Sequence, residues 1–196
     1  MWQIKLIQLV KRRLDPRSTN GKDLLIHAGP GAGKTLGALL TFKEMRKASL
    51  VKKLVVFCHR NSIANQWIGS ASKIGLNLNL AEECEGKLNQ YKTTDGFILT
   101  YQSAARNIHL FKYQIDFMQK EGLIAIADEA HHLGIDPEDS ECPVWGQTFL
   151  DLTENAKLRI GLTGTPFRAD NLPFCSGRKV RIINRGECIE QITPDL

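Results

Sequence analysis

From Leu24 onward, short and nearly unbroken apolar runs alternate with longer stretches whose apolar residues recur every three or four positions. The runs are LLIHA (24–28), KLVVFC (53–58), GFILT (96–100), GLIAIAD (122–128) and LRIGLT (158–163), and each is predicted as a strand. Residues 34–47 and 109–120 read as helices, as does a segment carrying Ile63, Trp67, Ala71 and Ile74 on one face. So do residues 144–154, with Trp145, Phe149 and Leu152 aligned. Ahead of these, residues 3–14 place Ile7, Val10 and Leu14 on one helical face opposite a basic one. Asp15-Pro16 and Ser18-Thr19-Asn20-Gly21 then break the chain.

Strands that are apolar throughout are buried on both faces, so the pattern predicts an α/β fold with a mainly parallel sheet and helices on both sides. In such sheets ligands gather beyond the carboxyl ends of the strands, where the polar clusters of this chain fall. One domain over 1–196 is expected, with a helix and break in 1–20 and a less regular tail in 170–196. SGRKVR (176–181) reads as an exposed basic strand and GIDPEDSEC (134–142) as a solvated acidic loop.

Composition narrows this only a little. With 42% apolar and 24% charged residues in 196, the chain is core-forming rather than disordered. A net charge of +5 suits a polyanionic partner without establishing one. The five cysteines are odd in number and form no C-x-x-C pair, which favours free thiols in a reducing compartment. Lys5, Lys11, Arg12 and Arg13 interrupt any leader-like apolar run, and no stretch approaches the roughly 20 apolar residues of a membrane span. An intracellular protein off the membrane is expected, cytoplasmic, or nuclear in a eukaryote.

The strongest chemical signal is AGPGAGKT (28–35), between a predicted strand and a predicted helix. Gly29, Gly31 and Gly33 let the loop, which also holds Pro30 and Ala32, curl so that backbone N–H groups turn inward on phosphate oxygens, aided by the positive end of the following helix. Lys34 reaches the β- and γ-phosphates, and Thr35 supplies a hydroxyl to Mg2+. The usual first glycine of such a loop is Ala28 here. DEAHH (128–132) closes a strand with the two carboxylates an ATPase needs, Asp128 for Mg2+ and Glu129 for the attacking water. His131 and His132, as neighbours on a strand, would point to opposite sides and chelate a metal poorly. GLTGTPFR (161–168) is weak alone: Thr163 and Thr165 offer hydroxyls, and Gly164 a close backbone approach.

In this order AGPGAGKT, DEAHH and LTGTPFR resemble motifs I, II and III of superfamily 2 helicases, over about residues 3–168. The likeness is to the DEAH-type branch that holds restriction-enzyme motor subunits and repair translocases. VVFCHRNSIANQW (55–67) resembles motif Ia, with Cys58-His59 where proline is usual, and LTYQS (99–103) resembles the next nucleic-acid contact motif. Motif III usually reads Thr-Ala-Thr or Ser-Ala-Thr, so Gly164 departs from it.

The resemblance implies a RecA-like ATP-binding domain with ATP and Mg2+ as ligands. It assigns His131, Thr163 and Thr165 to coupling nucleotide state to domain movement, and Arg60, Thr100 and Gln102 to the nucleic-acid backbone. Many relatives read adenine with a glutamine upstream of the loop, for which Gln3 is the candidate and Gln8 the alternative. It also implies a second RecA-like domain, in the same protein or in trans. The stretch after Arg168 is too short to be one, since such a domain needs about 100 residues or more. Relatives with DEAHH and TPFR often act on DNA duplexes, so DNA is favoured over RNA as the partner. Two other readings remain: a non-catalytic module using ATP as a structural switch, and a different P-loop enzyme. Intact Lys34, Asp128 and Glu129 argue against the first, and the DEAHH–TGTP pair against the second.

Overall fold

The computed structural model describes residues 2–84, 92–133 and 142–164, together with strands at 178–184 and 187–193. Helix α1 (Trp2–Arg13) leads into β1 (Asp23–His27), α2 (Lys34–Lys47), β2 (Lys53–Cys58), α3 (Asn61–Lys73) and β3 (Leu78–Leu80). A 3-10 turn (Ala81–Cys84) precedes β4 (Gly96–Thr100), α4 (Tyr101–Arg106), α5 (Ile108–Lys120) and β5 (Leu123–Asp128). A second 3-10 turn (Ala130–Leu133), α6 (Cys142–Leu152), β6 (Leu158–Thr163), β7 (Arg178–Asn184) and β8 (Glu187–Thr193) complete the order.

The strands form one sheet in the order β3-β4-β2-β5-β6-β1-β8-β7. From β3 to β1 every pairing is parallel, as the apolar runs predicted; β8 and β7 extend the β1 edge antiparallel. Successive strand residues point to opposite faces, and each face has its own core. Leu25, Val55, Phe57, Ala125 and Ala127 pack with Phe111 and Ile115 of α5 and Phe149 of α6. Leu24, Ile26, Leu54, Val56, Ile124, Ile126 and Ile160 pack with Leu6 of α1, Phe42 of α2 and Trp67 of α3. Burial of both strand faces is why these segments read as unbroken apolar runs.

Three elements differ from expectation. β3 is three residues long and alternates Leu with Asn, too short a pattern to register as a strand. Helix α4 begins immediately at the end of β4, because the Thr100 side chain caps it by accepting from the Ser103 N–H at 3.1 Å. In the tail the strand expected at 176–181 is present as β7, and what differs is its antiparallel partner β8, which the sequence pattern did not predict.

Close approach of β4 to β2 depends on Gly96, where a Cβ would lie 2.0 Å from the Leu54 carbonyl oxygen. Gly96→Ala is therefore expected to cost about 3 kcal/mol, because backbone rather than a side-chain tip must move. Urea unfolding measures this, and a change below about 0.5 kcal/mol would contradict that approach.

Candidate nucleotide site and the adjoining groove

The parallel strands bring their carboxyl ends to one lip of the sheet. There the loop after β1 is fastened by the Ala28 N–H, which donates to the Thr163 carbonyl at 3.1 Å. Gly31 and Gly33 have φ of 75° and 76°, the left-handed region that glycine enters without steric cost. Gly33 caps α2 without a side-chain hydrogen bond, and the first turn of α2 holds no acid. The turn's free N–H groups and positive dipole end therefore face the cavity, which suits an anion. The Lys34 ammonium donates across the loop to the Ala28 carbonyl at 3.1 Å. A Cβ on Gly164 would come within 3.0 Å of that ammonium, so Gly164 leaves room for Lys34.

Pro30, Gly31, Ala32, Gly33, Lys34 and Thr35 line a cavity of about 570 Å³, with Asp128, Glu129, Gly164 and the α3 side chains Gln66 and Trp67 opposite. Asp128 is 8% exposed. Burial pushes its carboxyl above the ordinary range, against the indole N–H of Trp67, which donates to Oδ2 at 2.8 Å. A buried carboxylate whose charge is disfavoured gains from a cation, so this donor set fits Mg2+. Glu129 has φ of 50°, an uncommon conformation for a side-chain-bearing residue. Its Oε2 lies 3.5 Å from the Gly164 N–H and 3.4 Å from His131 Nδ1. His131 Nδ1 is also 3.3 Å from the Thr163 hydroxyl. Asp128, Glu129, His131, Thr163, Lys34 and Thr35 are thus gathered at one place from three strand ends.

Gln3 stands beside the loop, its Nε2 donating to the Ala32 carbonyl at 3.3 Å. Among the described residues its Oε1 is buried and has no hydrogen-bond partner. Gln8 is exposed. Trp2 holds the same carbonyl through its indole N–H at 2.9 Å.

Arg60, Thr100 and Gln102 line a neighbouring groove of about 440 Å³ with His59, Ser103 and Arg106. They meet because β2 and β4 pair in register at Cys58 and Thr100. Glu82 accepts from the Ser103 hydroxyl at the groove's edge. Thr165 lies outside the described residues, as does most of the acidic loop at 134–142.

One geometric expectation is corrected. His131 and His132 sit on a 3-10 turn, not a strand, so their rings lie side by side with centroids 4.2 Å apart. Among the described residues no group of three or more His, Cys, Asp or Glu side chains is placed to hold a metal ion. Cys58 and Cys84 are buried thiols, and burial pushes the Cys58 thiol up to about 12. No described helix is long and apolar enough to cross a membrane.

Several contacts were not readable from sequence. Trp67 looked like a core residue, and nothing in one dimension says that its N–H reaches Asp128. Tyr101, whose hydroxyl donates to the Asp128 carbonyl at 2.7 Å, likewise gave no signal.

Residues 1–168 match the family model described as the type III restriction enzyme, res subunit. The chain belongs to this family. Its members are helicase-type ATPase domains of superfamily 2. An uncharacterized protein of Mycobacterium tuberculosis, Rv2917, is 29% identical over 158 residues, covering 80% of this chain and 24% of the relative. ML1624 of Mycobacterium leprae is 28% identical over 155 residues, covering 78% and 24%. This chain therefore spans about a quarter of those relatives.

Solved structures share the family fold. The Sulfolobus solfataricus SWI2/SNF2 ATPase core in complex with dsDNA aligns with a TM-score of 0.58 at 22% identity, over 88% of this chain and 33% of that one. The Pyrococcus furiosus Hef helicase domain aligns at 0.56 and 18%, over 85% and 33%. The type ISP restriction-modification enzyme LlaGI, with a DNA substrate mimic, aligns at 0.55 and 17%, over 85% and 17%. The match is to the RecA-like α/β domain of helicases.

Proposed function

We propose that this chain is the first motor domain of a nucleic-acid-dependent ATPase that couples ATP hydrolysis to movement on, or remodelling of, DNA. One observation carries the reading: a single cavity collects the phosphate loop, Lys34, Thr35 and both carboxylates. The loop's N–H groups and Lys34 bind the phosphates, Gln3 offers its unpaired oxygen to the adenine amine, and Glu129 orients the attacking water and accepts its proton. Thr35 and Asp128 would hold Mg2+, which would supply positive charge to offset that of the phosphate oxygens. His131 and Thr163, with Thr165, carry nucleotide state to a second RecA-like domain, in the longer protein or in trans.

Trp67 orients Asp128 for that ion. Trp67→Phe keeps a ring in the core but removes the N–H donor, and is expected to weaken Mn2+ binding in the presence of nucleotide about tenfold. Electron paramagnetic resonance of free Mn2+ reads this directly, and an unchanged affinity would rule out the assigned role.

DNA is the favoured polymer because the aligned SWI2/SNF2 core and LlaGI are seen with DNA or its mimic. Arg60, Thr100 and Gln102 contact its phosphates from the groove, so binding is sequence-independent and salt-sensitive. Arg60→Ala is expected to weaken DNA binding uniformly and lower the log–log salt slope by about 1. A salt titration by fluorescence anisotropy gives the slope, and an unchanged value would place Arg60 off the DNA path.

A further inference from the structure

We propose that the stacked rings of His59 and His132 link occupancy of the groove to occupancy of the nucleotide cavity. The proposal rests on the reading of the two hollows given above and names the residues that connect them. His59 lines both hollows, and no other residue described is common to the two. It lies between Cys58, the last residue of β2, and Arg60, the extended cap residue of α3. Any displacement of Arg60 by a phosphate on the groove side is carried directly into His59.

The other side of the His59 ring meets His132, with centroids 4.2 Å apart and planes within 8° of parallel. His132 is part of the Ala130–Leu133 turn, and its N–H donates to the Glu129 carbonyl at 3.0 Å. The same turn carries His131, whose ring approaches both Glu129 and Thr163. The path from groove to hydrolytic carboxylate is therefore two rings and one tight turn.

A stack transmits displacement only if it cannot slip sideways. Trp145 supplies a wall, its ring 5.8 Å from His59 and 6.5 Å from His132. Trp145 is in turn backed by the buried Tyr101, stacked on it at 5.9 Å. Close packing of this kind passes small shifts on rather than absorbing them. With the core side blocked, movement of His59 goes into His132 and the turn. His59 and His132 act here as positioning residues, working through Glu129 and His131.

Linkage between two sites is reciprocal and is measured as a ratio of affinities, independent of the individual values. In the full-length protein, anisotropy gives the Kd for a labelled DNA duplex with and without a non-hydrolysable ATP analogue. The ratio of the two is the linkage factor. His59→Ala and His132→Ala are each expected to bring it at least about fivefold closer to one. The double variant is expected to lose little more than either alone, since both break the same contact. His59→Phe, which keeps a flat ring against His132, is expected to retain most of the linkage. His132→Asn, small and polar without a ring, gives the same test if alanine there prevents folding. Wild-type linkage surviving loss of either ring would overturn the proposal while leaving the ATPase reading intact. A wild-type protein that binds no DNA, or binds it without linkage, would overturn the proposal too, and the first of these would also remove the assigned polymer.

Discussion

Glu129→Gln is expected to slow ATP hydrolysis by about 10²–10⁴-fold while nucleotide binding persists. Glutamine keeps the size and shape of the side chain but cannot take a proton from the attacking water. Binding persists because the loop, Lys34 and Asp128 are untouched, and Asp128 has its own support from Trp67. The backbone of Glu129 reinforces the assignment. Its φ of 50° costs energy that an ordinary strand exit would avoid. That turn brings the carboxylate back over the cavity, toward Gly164 and His131. Single-turnover hydrolysis beside equilibrium nucleotide binding separates the two effects, and a variant that still turned over at the wild-type rate would move the hydrolytic role elsewhere.

The second large effect concerns what this domain needs from outside itself. Arginines supplied to the transition state by a second domain contribute about 10³–10⁵ in rate to P-loop enzymes. The chain spans about a quarter of its mycobacterial relatives, which leaves ample length there for such a domain. This chain alone is therefore expected to bind ATP and hydrolyse it slowly, without unwinding a duplex. The longer protein, or a supplied second domain, is expected to raise the rate by about 10³-fold or more. Robust unwinding by this chain alone would contradict the division of labour.

How far the sequence revealed this arrangement varies with the physics of each part. The central strands were legible because burial on both faces makes Leu24–Ile26, Leu54–Cys58 and Leu123–Ala127 apolar at every position. The turn between β1 and α2 was legible because its left-handed backbone at Gly31 and Gly33 calls for glycine. β3 was not, since three residues carry no measurable period. Helix α4 was hidden because the Thr100 residue that resembles a nucleic-acid contact also serves as its cap. The contacts that support the site are long-range in sequence. Trp67 reaches Asp128, Trp2 reaches Ala32 and His59 meets His132, and each pairing exists only once the sheet has formed. The neighbouring histidines show the cost of assuming a backbone: on a strand they diverge, and on the 3-10 turn their rings lie side by side, tilted by 37°.

Polymer binding is expected to drive ATP hydrolysis at the Lys34–Asp128–Glu129 site. The most direct test is steady-state ATP hydrolysis by the full-length protein without polymer and with single-stranded DNA, double-stranded DNA or RNA, alongside Glu129→Gln. DNA is expected to accelerate hydrolysis strongly, and Glu129→Gln to abolish that acceleration. Hydrolysis indifferent to every polymer, or acceleration that persists in Glu129→Gln, would contradict it.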